Sequence, residues 1–303
     1  MWTGCWRRCS RRPTAEAVRT VSLKGGSMPK LIPFHNTYCC TGKAGEQAGD
    51  LVLVHGWGLH AIVFDDIVPA LLEHFRVTVV DLPGMGQSPL PNDEYTLDFL
   101  ADQIASVMPE RAHVLGWSLG GLVALNLAQR HAQRVASVVT VATTPRFTRA
   151  DDWPRAMRPE ILRTFAEVCE EDFEGTLVRF LALNCKDSEN MREDVARLKE
   201  ILYFCGLPAR RALIEGLVIL ADTDLRTALS ALSQPLLMVF GERDNIVPVT
   251  LVDDIRPLLN EHGETAVIER VSHVPFLSAP ERFSAVVLDF YRRHGIVADA
   301  ADG

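Results

Sequence analysis

The chain lacks any stretch approaching the ~18 uninterrupted apolar residues that a membrane-spanning helix needs. It lacks internal repeats and low-complexity segments. It lacks an excess of positive charge: 31 basic residues face 39 acidic ones, for a net charge of −8. That balance argues against nucleic acid as the main partner. Seven cysteines are present, an odd number, with no C-x-x-C pair and no Cys/His cluster at zinc spacing. The adjacent Cys39 and Cys40 sit in a polar, Gly-rich stretch. Reduced thiols in a cytosolic protein fit this usage better than a disulfide framework. Residues 1–27 carry Arg7, Arg8, Arg11, Arg12 and Arg19 against the single acid Glu16, without the apolar core of a secretory signal. They read as a leader or as an upstream start before Met28, and are set aside from the fold.

What remains is rich in apolar residues, 48% of the chain, enough for a full core. Short apolar runs recur at 51–54, 76–80, 112–115, 135–141, 235–240 and 265–268, with helical periodicity between them at about 62–74, 95–108, 119–131, 249–260 and 281–293. Runs without alternation are those of strands buried on both faces. Their alternation with helices predicts βαβ units and a mostly parallel sheet. The rhythm breaks at 146–230, where the spacing is helical throughout. This stretch reads as a helical cap inserted into a core made of 28–145 and 231–295, with a tail at 296–303. Such an insertion sits over the carboxyl edge of the sheet, where open α/β folds bind ligands.

The chemistry is concentrated in Gly116-Trp117-Ser118-Leu119-Gly120, directly after an expected strand and before an expected helix. That context marks a nucleophile elbow. The turn is so tight that only residues without a side chain fit at Gly116 and Gly120, and the helix after it aims free N–H groups at the same point. A serine nucleophile needs a base, and the base an orienting acid, in the chain order Ser, acid, His. His273, in a loop between the last expected strand and helix, is the candidate base. His262 and His294 each precede a glycine at an expected helix end and read as capping residues. Asp244 is the candidate acid, with Glu242, closer to the strand end, left open. Asp222 and Asp224 read as capping or solvated. The second oxyanion donor is expected from the loop His55-Gly56-Trp57, through the Trp57 N–H, alongside the Leu119 N–H.

These motifs, with Asp81-Leu-Pro-Gly-Met-Gly-Gln-Ser88 and Ser272-His-Val-Pro-Phe276, resemble the α/β-hydrolase superfamily. Gly116 to Ala124, Asp152-Trp-Pro154, Arg179-Phe-Leu-Ala-Leu183 and Asp224-Leu-Arg226 further resemble the pimeloyl-[acyl-carrier protein] methyl ester esterases of biotin synthesis. The resemblance implies an α/β-hydrolase fold with a helical cap and a cytoplasmic, monomeric serine esterase. It implies a carrier-bound pimeloyl methyl ester as substrate, and no cofactor, metal, nucleic acid or membrane. It implies a substrate site lined by Trp57, Ser118, Leu119, Phe180, Leu181, Ala182, Leu183, Asn184 and His273. It implies carrier-protein contacts at Arg179, Arg192 and, with a one-residue insertion, Arg197. Another arginine of that family falls on Gly175 here. The rival readings are a broad carboxylesterase, a carbon–carbon bond hydrolase or a perhydrolase on the same scaffold, since the triad alone does not select among them, and a non-catalytic ligand-binding protein. Dehalogenases and epoxide hydrolases are disfavoured because they carry aspartate where Ser118 stands.

Overall fold

The computed structural model describes residues 31–298; the leader at 1–27 and most of the tail lie outside them. Seven strands are formed: β1 (His35–Tyr38), β2 (Gly49–Val54), β3 (Phe75–Val80), β4 (Ala112–Trp117), β5 (Val135–Val141), β6 (Leu236–Gly241) and β7 (Gly263–Ile268). They make one sheet in the order β1-β3-β2-β4-β5-β6-β7. Only β1 runs antiparallel to its neighbour, so the expected mostly parallel α/β-hydrolase sheet is present. Leu51 to Val54 and Leu236 to Phe240 are buried without a break, as strands covered on both faces must be.

The helices are α1 (Val68–Leu72), α2 (Leu97–Val107), α3 (Leu119–Arg130), α4 (Pro159–Glu171), α5 (Phe173–Cys185), α6 (Met191–Phe204), α7 (Arg210–Asp222), α8 (Arg226–Ala231), α9 (Val252–Ile255), α10 (Pro275–Ser278) and α11 (Pro280–Arg293). α3 packs on β4 and β5 and is backed by α2, whose first turn is capped by Thr96 accepting from Phe99 N at 3.1 Å. α1 and α11 pack on each other and on β3 and β7 respectively. Helices α4 to α8 all fall between β5 and β6, and α5 to α7 reach across the carboxyl ends of β2 and β4. A Cβ on Gly58 would sit 2.9 Å from Leu177, and one on Gly216 would sit 2.9 Å from Trp57. We call α4–α7 the cap.

β1 is an addition to the six expected strands. His-Asn-Thr-Tyr contains no apolar run, is half-buried, and covers the edge of β3. Five cysteines lie among the described residues, and no two of them are joined by a disulfide.

Candidate active site

β4 ends at Trp117 and α3 begins at Leu119, which leaves Ser118 alone in the turn. Its backbone stands at φ 53°, ψ −117°, a conformation that a residue with a Cβ adopts only where the surroundings impose it. They do so here through two close approaches. A Cβ on Gly116 would lie 2.1 Å from the Gly120 carbonyl oxygen, and one on Gly120 would lie 2.3 Å from that of Val54. The turn is further held by Ser118 N donating to Val141 O at 2.9 Å and by the Thr143 hydroxyl donating to Ser118 O at 3.0 Å.

Ser118 Oγ lies 3.0 Å from His273 Nε2, and His273 Nδ1 lies 2.7 Å from Asp244 Oδ2. All three residues are buried, Ser118 at 2% exposure. The other Asp244 oxygen accepts from Ile246 N at 2.8 Å and Val247 N at 2.9 Å, which fixes the carboxylate plane. With Nδ1–H donating to the carboxylate, Nε2 presents its lone pair to the serine hydroxyl, the arrangement that general-base activation of a serine requires. The Trp117 indole donates to His273 O at 2.8 Å, and His273 N donates to Asn184 O at 3.0 Å. Glu242 takes no part in this chain of bonds: it accepts from Arg270 N at 2.8 Å. His262 stands beside Glu261 on the surface, and His294 ends α11 against Glu264. Asp222 ends α7. Asp224 is gripped by Arg226 and Arg146, and the Arg226 hydrogen bonds hold its carboxyl well below the usual range.

The 55–58 loop lies against the serine. A Cβ on Gly56 would be 2.8 Å from the Trp117 ring and 3.1 Å from Ser118 Cβ. His55 braces this loop: its ring bonds Gly56 O through Nδ1 at 2.8 Å and accepts from Leu82 N through Nε2 at 2.9 Å. Burial pushes its pKa down to about 4, so the ring is neutral and can serve both bonds. The backbone N–H groups of Trp57 and Leu119 engage no acceptor among the described residues. Leu119 directly follows Ser118, and Trp57 directly follows Gly56, whose Cβ would lie 3.1 Å from Ser118 Cβ.

The cap places part of α5 on this site. Phe180 stacks edge-on against Trp57 with centroids 4.7 Å apart, and the Trp57 indole donates to Leu213 O of α7 at 2.8 Å. Asn184, one turn on, donates to Phe180 O at 2.6 Å and touches His273 through its backbone. Leu181 is buried, whereas Ala182 and Leu183 lie on the half-buried flank of the helix. Phe165 of α4 stacks edge-on against Phe180 with centroids 5.9 Å apart. Behind it opens a cavity of about 540 Å³ between α4 and α5, lined by Ile161, Val168 and Thr176 and flanked by Arg158 and Arg179.

The three cap arginines are all exposed but do not share one environment. Arg179 pairs with Asp172 at 3.0 Å, and Arg197 pairs with Asp66 of the core. Gly175 has its N–H capped by Asp172 Oδ1 at 3.0 Å. Arg158, Phe165 and the Asn184 carbonyl are not assigned to the site by the sequence, which gives Phe165 only as an aromatic position of a helical stretch. The first two sit in a stretch with no motif, and a backbone carbonyl leaves no trace in side-chain pattern.

Among the described residues no cluster of three or more His, Cys, Asp or Glu side chains could hold a metal ion. Among them, too, no helix is long and apolar enough to cross a membrane. Comparison with known proteins places the chain more narrowly. The model of the alpha/beta hydrolase fold family matches residues 51–280. A pimeloyl-[acyl-carrier protein] methyl ester esterase of Aeromonas hydrophila is 44% identical over 248 residues, covering 80% of this chain and 96% of that protein. A protein of the same name from Klebsiella pneumoniae is 41% identical over 247 residues, covering 80% and 94%. Among solved structures, an esterase from Exiguobacterium antarcticum superposes with a TM-score of 0.74 at 21% identity, covering 85% of this chain and 96% of that one. The enol-lactonase from Burkholderia xenovorans superposes with a TM-score of 0.73 at 21% identity, covering 85% and 96%; at such identity these two speak for the fold alone. On its sequence, the chain belongs to the α/β-hydrolase fold family and, within it, to the pimeloyl-[acyl-carrier protein] methyl ester esterases.

Proposed function

We propose that this protein is a serine carboxylesterase that hydrolyses the methyl ester of a pimeloyl chain carried on acyl carrier protein, acting in the cytoplasm. The observation that carries the chemistry is the buried chain of bonds from Ser118 Oγ through His273 to Asp244 at 3.0 and 2.7 Å. The relatives' shared name carries the substrate. Ser118 Oγ attacks the ester carbonyl as His273 Nε2 takes its proton. The oxyanion forms between the Trp57 and Leu119 N–H groups; one such donor is worth about 3 kcal/mol of transition-state stabilisation. The imidazolium returns the proton to methoxide, so methanol leaves and an acyl-serine remains. Water, deprotonated by the same nitrogen, attacks the acyl-serine; the imidazolium then returns that proton to Ser118 Oγ as the bond to the acyl carbon breaks, and the pimeloyl acid is released and ionises. Asp244 holds the imidazole tautomer and offsets its transient charge without itself being protonated. Incubation with the methyl ester of pimeloyl-acyl carrier protein should release methanol stoichiometrically with the free acid. The gene should restore growth of a biotin auxotroph lacking this esterase, and the Ser118→Ala form should not.

The acyl chain is proposed to enter between α4 and α5, where the Phe165–Phe180–Trp57 stack runs inward from the cavity. Arg179, Arg192 and Arg197 are proposed to meet the acidic carrier protein at the cap surface. Rim charges of this kind act mainly on association and fade with salt. Replacing the three together by alanine should raise KM for the carrier-bound ester by roughly threefold to a hundredfold. kcat/KM for a small soluble ester should stay nearly unchanged. The check is kcat/KM for both substrates at low and high ionic strength. Equal losses on both would instead assign the arginines to holding the cap, an outcome made specific by the Arg197–Asp66 pair between cap and core.

A further inference from the structure

The loops that carry the acid and the base come from different strand ends, after β6 and β7, and one short segment of the cap is bonded to both. That segment is residues 184–194, the end of α5, the link to α6 and its first turn. Toward the base loop, Asn184 O accepts from His273 N at 3.0 Å, and Glu189 N donates to Arg270 O at 3.2 Å while its carboxylate pairs with the Arg270 guanidinium. Toward the acid loop, Asp187 O accepts from the Arg243 guanidinium at 3.2 Å and Asp187 Oδ2 from the Asn245 amide at 3.0 Å. The segment is anchored behind these contacts by Asp194. Its Oδ2 accepts from Ser188 Oγ at 3.0 Å within the link and from Ser278 Oγ at 2.6 Å in α10, five residues beyond the base.

Two features mark this as more than incidental packing. Asp194 is 5% exposed, and burial pushes its carboxyl pKa up. A group so placed is costly unless its hydrogen bonds are kept. Asp187, which bonds the acid loop, and Arg270, which bonds Glu189, both have left-handed backbones, φ 66° and φ 65°. Non-glycine residues hold that conformation where the surroundings over-determine it.

We propose that the 184–194 segment is a strap that sets the acid and base loops in register, and that Asp194 is a positioning residue for His273. The proposal rests on the reading of Ser118, His273 and Asp244 as a catalytic triad. The strap touches no reacting atom. It acts by fixing where the His273 ring stands relative to Ser118, and misplacement of about 1 Å in such a site can cost a hundredfold.

The test is steady-state hydrolysis of p-nitrophenyl butyrate, with melting temperature recorded alongside. Asp194→Ala should lower kcat by roughly tenfold to a hundredfold with KM within about twofold of wild type. Asp194→Asn, which still accepts from both serines through its amide oxygen, should recover most of that loss. Ser278→Ala covers the case in which Asp194→Ala fails to fold. It leaves the Ser188 bond in place and should lower kcat several-fold with KM unchanged. A kcat within twofold of wild type in both Asp194→Ala and Ser278→Ala would overturn the strap, as would equal changes in kcat and KM. Ser118→Ala run in parallel separates the two readings. A Ser118→Ala kcat within tenfold of wild type sinks the triad; a Ser118→Ala form that has lost several orders of magnitude beside a fully active Asp194→Ala sinks the strap alone.

Discussion

Ser118→Ala should lower kcat for ester hydrolysis by at least about ten-thousand-fold, and His273→Ala by a similar factor. The two losses should not multiply in the double variant, because the groups act as one unit. Folding should survive Ser118→Ala. The methyl occupies the Cβ position already present at φ 53°, and the bonds that hold the turn, Ser118 N to Val141 O and Thr143 to Ser118 O, are all to backbone. Melting temperature should therefore move by only a few degrees while activity vanishes. Background hydrolysis above the uncatalysed rate should remain, from the Trp57 and Leu119 donors acting alone. A kcat within tenfold of wild type for either single variant would remove the triad assignment.

The second large effect is expected at the acid, where the sequence alone left two candidates. Asp244→Asn preserves the oxygen that accepts from Ile246 and Val247, so the loop should hold its shape. It places an amide N–H where a carboxylate oxygen faced His273 Nδ1, which favours the wrong imidazole tautomer. A loss of about ten-thousand-fold in kcat is expected. Glu242→Gln is the matched control. Its oxygen would still accept from Arg270 N, and the residue makes no contact with the imidazole; its kcat should lie within a few-fold of wild type. The reverse ranking would move the acid to Glu242.

How much of this was readable in advance differs from residue to residue. Strands β2 to β6 are legible because strands covered on both faces are apolar along most of their length; β7, at the sheet edge, is mostly half-buried and shows only a short apolar run. The elbow was legible because its steric demand leaves glycines at 116 and 120, the two places where a Cβ would meet backbone. β1 was not legible. A four-residue, half-buried edge strand has polar residues in it and is recognised only by the partner it lies beside. The choice between Asp244 and Glu242 hung on which carboxylate reaches the imidazole, a matter of loop curvature rather than residue type. The role of the 184–194 segment was hidden for another reason. Its bonds to the base loop run partly through backbone carbonyls and span 80 or more residues of chain. No local periodicity encodes such a pairing.

The order of elements along the chain has a consequence for synthesis. The serine and its hydrogen-bonded histidine are 155 residues apart. At roughly 5–20 residues per second, about eight to thirty seconds separate their emergence from the ribosome. Within that interval the cap emerges first, then Asp244, and His273 last, so the elbow is made well before either of its partners. β5, an almost wholly buried apolar strand, waits for β6 with its edge unpaired, the kind of edge that recruits other chains. The growing polypeptide is thus hydrolytically inert while this edge is bare; β6 ends the exposure at 236–241, and the base completes the site only at 273.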